Sequence, residues 1–299
     1  MAVSDQFRGT GVAMITPFQK DGEIDFDRLT IHTNRLINKG IGYLVVLGTT
    51  AETPTLSGKE KENVVSCVLD ACGNRVPVMV GVGGNDTRAV TDALKSPWLK
   101  DVQGILSVCP YYNKPTQEGI YQHFAAVASV SELPVMLYNV PGRTSSNINA
   151  ETTISLATDF EGTIIGIKEA SGDFTQVMDI IRERPDGFLV ASGDDAHALP
   201  MISAGGDGVI SVIGNAYPAL MSTMVASALD GSYEKARELH YRLFPMIKAI
   251  FMEGNPSGVK ASMEIQGWIE NAVRLPLIPA TNLLYKEIAR LDGLLHRSD

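Results

Sequence analysis

Short apolar runs rich in β-branched residues alternate with longer amphipathic stretches along most of the chain. The runs fall at 10–16, 43–47, 77–82, 104–108, 135–139, within 162–168, at 188–191 and at 209–213. Most are apolar on consecutive positions and punctuated by Gly, Pro, Asn or Asp, which predicts strands buried on both faces. The stretches between them carry a helical period. Phe26, Leu29, Leu36 and Ile37 follow Asp25 as a cap, and Val64, Val65, Val68 and Leu69 follow a Ser57/Glu60 capping box. Phe174, Val177, Ile180 and Ile181 follow Asp173, with Gln176 three residues on. Ile120, Tyr121, Phe124, Val127 and Ala128 predict another helix, and others start near Asp86 and span 150–157.

Parallel strands need crossover connections, and eight strand-to-helix units close economically into a (β/α)8 TIM barrel, an α/β fold. A doubly wound open sheet is the rival. It usually carries a glycine fingerprint after its first strand, which 10–18 lacks. From Ser232 the strands stop. Ala236, Leu239, Leu243, Ile247 and Ile250, then Leu283, Leu284, Ile288, Leu291 and Leu295 after Thr281, recur at helical spacing. The expected division is a catalytic barrel over 1–230 and a C-terminal helical appendage over 231–299. The appendage is expected to cover barrel surface or meet a partner subunit, with no chemistry of its own.

Composition narrows the classes. The 299 residues are 44% hydrophobic and 20% charged, as in soluble globular proteins, and suffice for a large core. A net charge of −9 disfavours a nucleic-acid partner. No apolar run approaches the roughly 18 residues of a membrane helix, and the N-terminus lacks a basic-then-apolar leader. Cys67, Cys72 and Cys109 have no disulfide-framework spacing, so free thiols in a reducing, cytoplasmic compartment are expected. His32, His123, His197, His240 and His296 lack ligand spacing, so no metal site is expected.

In a TIM barrel the chemistry sits where the strands end. That rule gathers Thr49 and Thr50, Tyr111 and Tyr112, Tyr138 and Arg143, Lys168, Ser192 and Gly193, and the backbone near Ile210. Desolvation lowers a lysine from about 10.4 toward roughly 7–8, where its free amine attacks carbonyls. A phenol moves protons, and a guanidinium fork fits a carboxylate. The bland alternatives are a structural Lys168 paired with Glu169 or solvated, tyrosines packed in core or rim, and Arg143 in a surface ion pair.

The motifs Gly48-Thr49-Thr50-Ala51-Glu52, Pro110-Tyr111-Tyr112-Asn113-Lys114-Pro115 and Tyr138-Asn139-Val140-Pro141-Gly142-Arg143-Thr144 occur in this order, followed by Gly166-Ile167-Lys168-Glu169-Ala170-Ser171-Gly172, Ser192-Gly193-Asp194-Asp195 and Gly208-Val209-Ile210-Ser211-Val212. As a set, over nearly the whole chain, they resemble the dihydrodipicolinate synthase family. The resemblance implies a cofactor-free lyase that condenses pyruvate with L-aspartate 4-semialdehyde on the diaminopimelate route to lysine. It implies that Lys168 forms the Schiff base, Tyr138 donates and accepts protons, and Thr49 and Tyr112 relay them, Tyr112 reaching in from a neighbouring subunit. It further implies that Thr50 and the Ile210 backbone contact pyruvate, that Arg143 binds the semialdehyde carboxylate, that Gly193 lies in the pocket floor, and that the enzyme is a homotetramer of tight dimers.

Two departures stand out. Ala51 replaces the family's usual glycine, which would strain the Thr49–Thr50 loop if that position needs positive φ. The family's lysine-feedback pocket often carries histidine and glutamate, and the matching positions here are Gly58, Lys61 and Ala89, with Asn85 and Tyr111 kept. Like-charge repulsion from Lys61 predicts weak or absent inhibition by lysine. The fold hosts sister activities, so N-acetylneuraminate lyase or a keto-deoxy sugar acid aldolase is the alternative reading, and a silent acid-binding scaffold a further one. The Pro-Gly-Arg-Thr arginine and the tyrosine pair argue against the first two, and intact Lys168, Tyr138 and Thr49 against the third.

Overall fold

The computed structural model describes residues 3–296. Eight parallel strands close in sequence order: β1 Gly9–Ala13, β2 Tyr43–Val46, β3 Val78–Gly81, β4 Gly104–Val108, β5 Val135–Asn139, β6 Ile164–Glu169, β7 Leu189–Ser192 and β8 Gly208–Ser211, which pairs back with β1. The barrel interior is filled by Ala13, Tyr43, Val45, Met79, Leu106, Met136, Ile165, Leu189 and Ile210. Phe7 seals the end where the strands begin, its ring edge-on to Tyr43 at 5.5 Å. Gly11 makes room for that tyrosine, since a Cβ there would lie 2.2 Å from its ring.

The surrounding helices are α1 Phe26–Asn38, α2 Gly58–Cys72, α3 Thr87–Ala93, α4 Gln117–Val130, the short α5 Pro141–Thr144, α6 Ala150–Asp159, α7 Phe174–Glu183, α8 Ala198–Ser203 and α9 Pro218–Leu229. The caps form as their sequences predict. The Arg28 amide donates to Asp25 Oδ1 at 2.9 Å, and Ser57 and Glu60 exchange both bonds of a capping box. Asp173 accepts from the Thr175 and Gln176 amides. The Gln176 side chain, however, reaches Asn147 and Glu169 instead of closing a box.

After the barrel come α10 Tyr233–Phe251, α11 Ser257–Ile265 and α12 Asn282–His296. Their apolar faces join α8, α9, the outer face of β8 and Ile15 just beyond β1 in one buried cluster that includes Val209, Met221, Leu243, Ile250, Val259 and Ile288. No described helix is long and apolar enough to cross a membrane.

Candidate active site

A cavity of about 200 Å³ opens at the strand C-termini. Its walls include Gly48, Thr49 and Thr50 after β2, Tyr138 and Val140 at β5, Arg143 on α5, Lys168 and Ala170 at β6, Gly193 and Asp194 after β7, and Val212 after β8. Lys168 is 4% exposed and has no ion pair with any described carboxylate. Its Nζ stands over the Tyr138 ring, 4.3 Å from the centroid, because the two residues face each other across β5 and β6.

A bulge sets that pairing. Ile164 and Ile167 face the helices, while Ile165 faces the barrel interior. Strict alternation from Ile165 would turn Ile167 inward and Lys168 outward. Between the rungs Val135–Ile164 and Met136–Gly166, β6 carries one extra residue, which reverses the alternation and turns Lys168 inward. Glu169 then points outward, where it accepts from Asn139 Nδ2, the Ser171 amide and Gln176 Nε2. Burial pushes its carboxyl above the ordinary range, and those donors hold it back. The pairing of Lys168 with Glu169 that their adjacency suggests therefore does not occur.

Gly193 lies against the lysine stem. A Cβ there would come 2.8 Å from Ala170 Cβ and 3.0 Å from Lys168 Cε. Arg143 is exposed at the mouth and carries no ion pair among the described residues. Thr49 and Thr50 lie on a single 3-10 turn, Thr49–Ala51. Ala51 is buried without a left-handed φ; Glu52 takes that conformation instead, at φ 57°. Alanine in place of the family glycine therefore introduces no backbone strain.

Two candidates lie off the cavity wall of their own chain. Ile210 is buried in the barrel interior, and the β8 side of the cavity is Val212. Tyr112 is 87% exposed at φ 72°, a rare conformation for a bulky residue. Tyr111 is exposed beside it. Conversely, the wall includes Phe251 at the end of α10 and Asn255 in the turn before α11, a region to which the sequence assigned no chemistry. The one signal there is Gly254-Asn255-Pro256, a polar break in an otherwise helical pattern.

A wider groove of about 470 Å³ between α1, α9 and α12 contains no comparable nucleophile. Its Arg35 is engaged by the Asn215 and Ala216 carbonyls and its Asp292 by Tyr217. No group of three or more His, Cys, Asp or Glu side chains suited to a metal ion occurs among the described residues.

The dihydrodipicolinate synthetase family model matches residues 6–291. A 4-hydroxy-tetrahydrodipicolinate synthase of Flavobacterium psychrophilum is 54% identical over 272 residues, covering 91% of this chain and 92% of the relative. The crystal structure of dihydrodipicolinate synthase from Thermotoga maritima superimposes with a TM-score of 0.94 at 39% identity, covering 97% of this chain and 98% of that one. A monomeric dihydrodipicolinate synthase variant superimposes with a TM-score of 0.95, also at 39% identity and covering 98% of each chain. With matches of this extent at the level of sequence and of fold, the chain belongs to the dihydrodipicolinate synthetase family.

Proposed function

We propose that this enzyme condenses pyruvate with L-aspartate 4-semialdehyde through a Schiff base on Lys168, giving 4-hydroxy-tetrahydrodipicolinate for lysine synthesis, with no cofactor. The observation that carries the reading is a buried amine without a carboxylate partner among the described residues, packed on a phenol at the mouth of the barrel. The amine adds to C2 of pyruvate, and loss of water gives an iminium that acts as an electron sink. Loss of a C3 proton gives an enamine, whose C3 attacks the aldehyde carbon. The amino group of the semialdehyde then displaces Lys168 from C2 and closes the ring. Tyr138 is the group that supplies and removes protons at the carbinolamine and alkoxide oxygens. Thr49 is its relay partner, Thr50 and the backbone of Ile210 hold the pyruvate end, and Gly193 leaves room beside the lysine stem. The guanidinium of Arg143, without an ion pair among the described residues, suits the semialdehyde carboxylate.

Tyr112 completes the relay from a second copy of the chain in a homotetramer built as a dimer of dimers. This is supported by its exposure and left-handed backbone, which leave it outside its own cavity. Free Cys67, Cys72 and Cys109 suit a reducing compartment, and we place the enzyme in the cytoplasm.

Initial rates with L-aspartate 4-semialdehyde plus pyruvate, against cleavage of N-acetylneuraminate and of 2-keto-3-deoxygluconate, test the reading. It requires the condensation to exceed either cleavage in kcat/KM by orders of magnitude. Comparable cleavage of either sugar acid overturns it.

A further inference from the structure

The C-terminal helices contribute more than cover. Glu52 follows the 3-10 turn that holds Thr49 and Thr50, and its amide closes that turn on the Thr49 carbonyl at 3.1 Å. Its carboxylate is gripped from the far end of the chain: Lys260 Nζ on α11 donates to Oε1 at 2.6 Å and the Arg274 amide to Oε2 at 2.8 Å. Both side chains of the ion pair are fully buried. Lys260 also donates to the Ala272 carbonyl at 2.9 Å, and its Nζ lies 4.1 Å from the centre of the Phe18 ring. A few residues earlier, Asn255 Nδ2 donates to Thr50 Oγ1 at 2.9 Å inside the protein.

These contacts fix both position and polarity. A hydroxyl that accepts from Asn255 keeps its own hydrogen to donate elsewhere, and Thr50 lines the cavity. A buried ion pair is a poor source of stability, because desolvating two charges offsets their attraction and apolar replacements of similar volume are often neutral. Burial outweighs the pull of Glu52 and leaves the Lys260 ammonium lowered to about 8.

We propose that Glu52 and Lys260, with Asn255, are positioning residues: a strap from the C-terminal helices that holds the threonine turn in the geometry that receives the ketoacid. This rests on the pyruvate reading above.

The test compares the wild type with the double variant Glu52→Gln/Lys260→Met and the single variant Lys260→Met. The double variant removes both charges at nearly constant volume, so it folds even where the single variant, left with a lone buried carboxylate, does not. Borohydride trapping over a pyruvate series gives the half-saturating concentration for adduct formation on Lys168, and thermal unfolding gives the Tm. The strap predicts a half-saturating pyruvate concentration raised about tenfold in the double variant. It also predicts a near-parental Tm, an unchanged KM for the semialdehyde and faster hydrogen exchange in the segment 49–52. Parental pyruvate saturation, or unchanged exchange in that segment, overturns it. The wild-type arm separates the two claims: a parent that traps no pyruvate sinks the functional reading, whereas a trapping parent matched by its double variant sinks the strap alone.

Discussion

Lys168 and Glu169 are adjacent in the chain and leave β6 on opposite faces, the amine into the cavity and the carboxylate into a buried amide cluster with Asn139 and Gln176. This separation leaves the amine without a carboxylate partner among the described residues. It depends on the extra residue of β6 at Ile165–Gly166.

Gly166 is therefore a sensitive position. An added Cβ would meet the Leu189 carbonyl oxygen at 2.6 Å and Leu189 Cβ at 2.9 Å. Gly166→Ala is expected to destabilise the fold by about 1–3 kcal/mol through overpacking and to lower pyruvate trapping, because β6 shifts and re-aims Lys168. Urea unfolding and trapping check the two effects. A variant with parental trapping contradicts the role given to the bulge.

Asp195 offers a pH test. Its Oδ2 accepts the Val212 and Ile213 amides at 3.0 and 2.8 Å, and burial pushes its carboxyl up to about 6 from 3.8. The native state then binds this proton more tightly than the unfolded chain does. The group's unfavourable contribution is complete above about pH 6 and is relieved as pH falls toward 3.8. Asp195→Asn keeps an acceptor for both amides and removes the charge. At neutral pH it is expected to be at least as stable as the parent, with a gain of up to about 3 kcal/mol, and to lose the relief on acidification. Denaturant midpoints across that pH range decide. A variant destabilised by more than about 2 kcal/mol at neutral pH contradicts the assignment.

Much of this was legible in the sequence, and the failures have causes. All eight strands announce themselves, because strands covered on both faces are continuous apolar runs. Their ends do not. The run 10–16 stops pairing at Ala13, since the Ile15 amide is taken by Asn215 Oδ1, 200 residues away. The run 209–213 breaks after Ser211, where Asp195 captures the next two amides. Helices α8 and α9 follow only from the count of eight units, because no amphipathic period marks 198–203 or 218–229. Lys168, Tyr138, Thr49, Thr50, Arg143 and Gly193 line the cavity where the barrel rule places them, whereas Ile210 and Tyr112 do not. Asn255, Lys260 and the bulge were not legible, because each depends on contacts between distant segments that no local period encodes.

Tyr112 acting across a subunit boundary predicts complementation. Tyr112→Phe and Lys168→Ala homo-oligomers should each be nearly inactive, and mixed, reassembled oligomers should recover activity, because some sites then combine an intact lysine from one chain with an intact tyrosine from the other. Activity of the mixture no greater than that of the separate variants contradicts a relay in trans.

Feedback is expected to be weak. Gly58 and Ala89 offer no acceptor side chain and Lys61 adds like charge, although Asn85 and Tyr111 remain. Condensation rates over a lysine titration should stay flat through the micromolar range. An inhibition constant in the low micromolar range contradicts this.

The central claim is that one buried amine does the chemistry. Borohydride reduction in the presence of isotopically labelled pyruvate, followed by peptide mapping, tests it most directly. The account predicts a single labelled site at Lys168, lost in Lys168→Ala. Label on another lysine, or no covalent label with enzyme that is otherwise turning over, would contradict it.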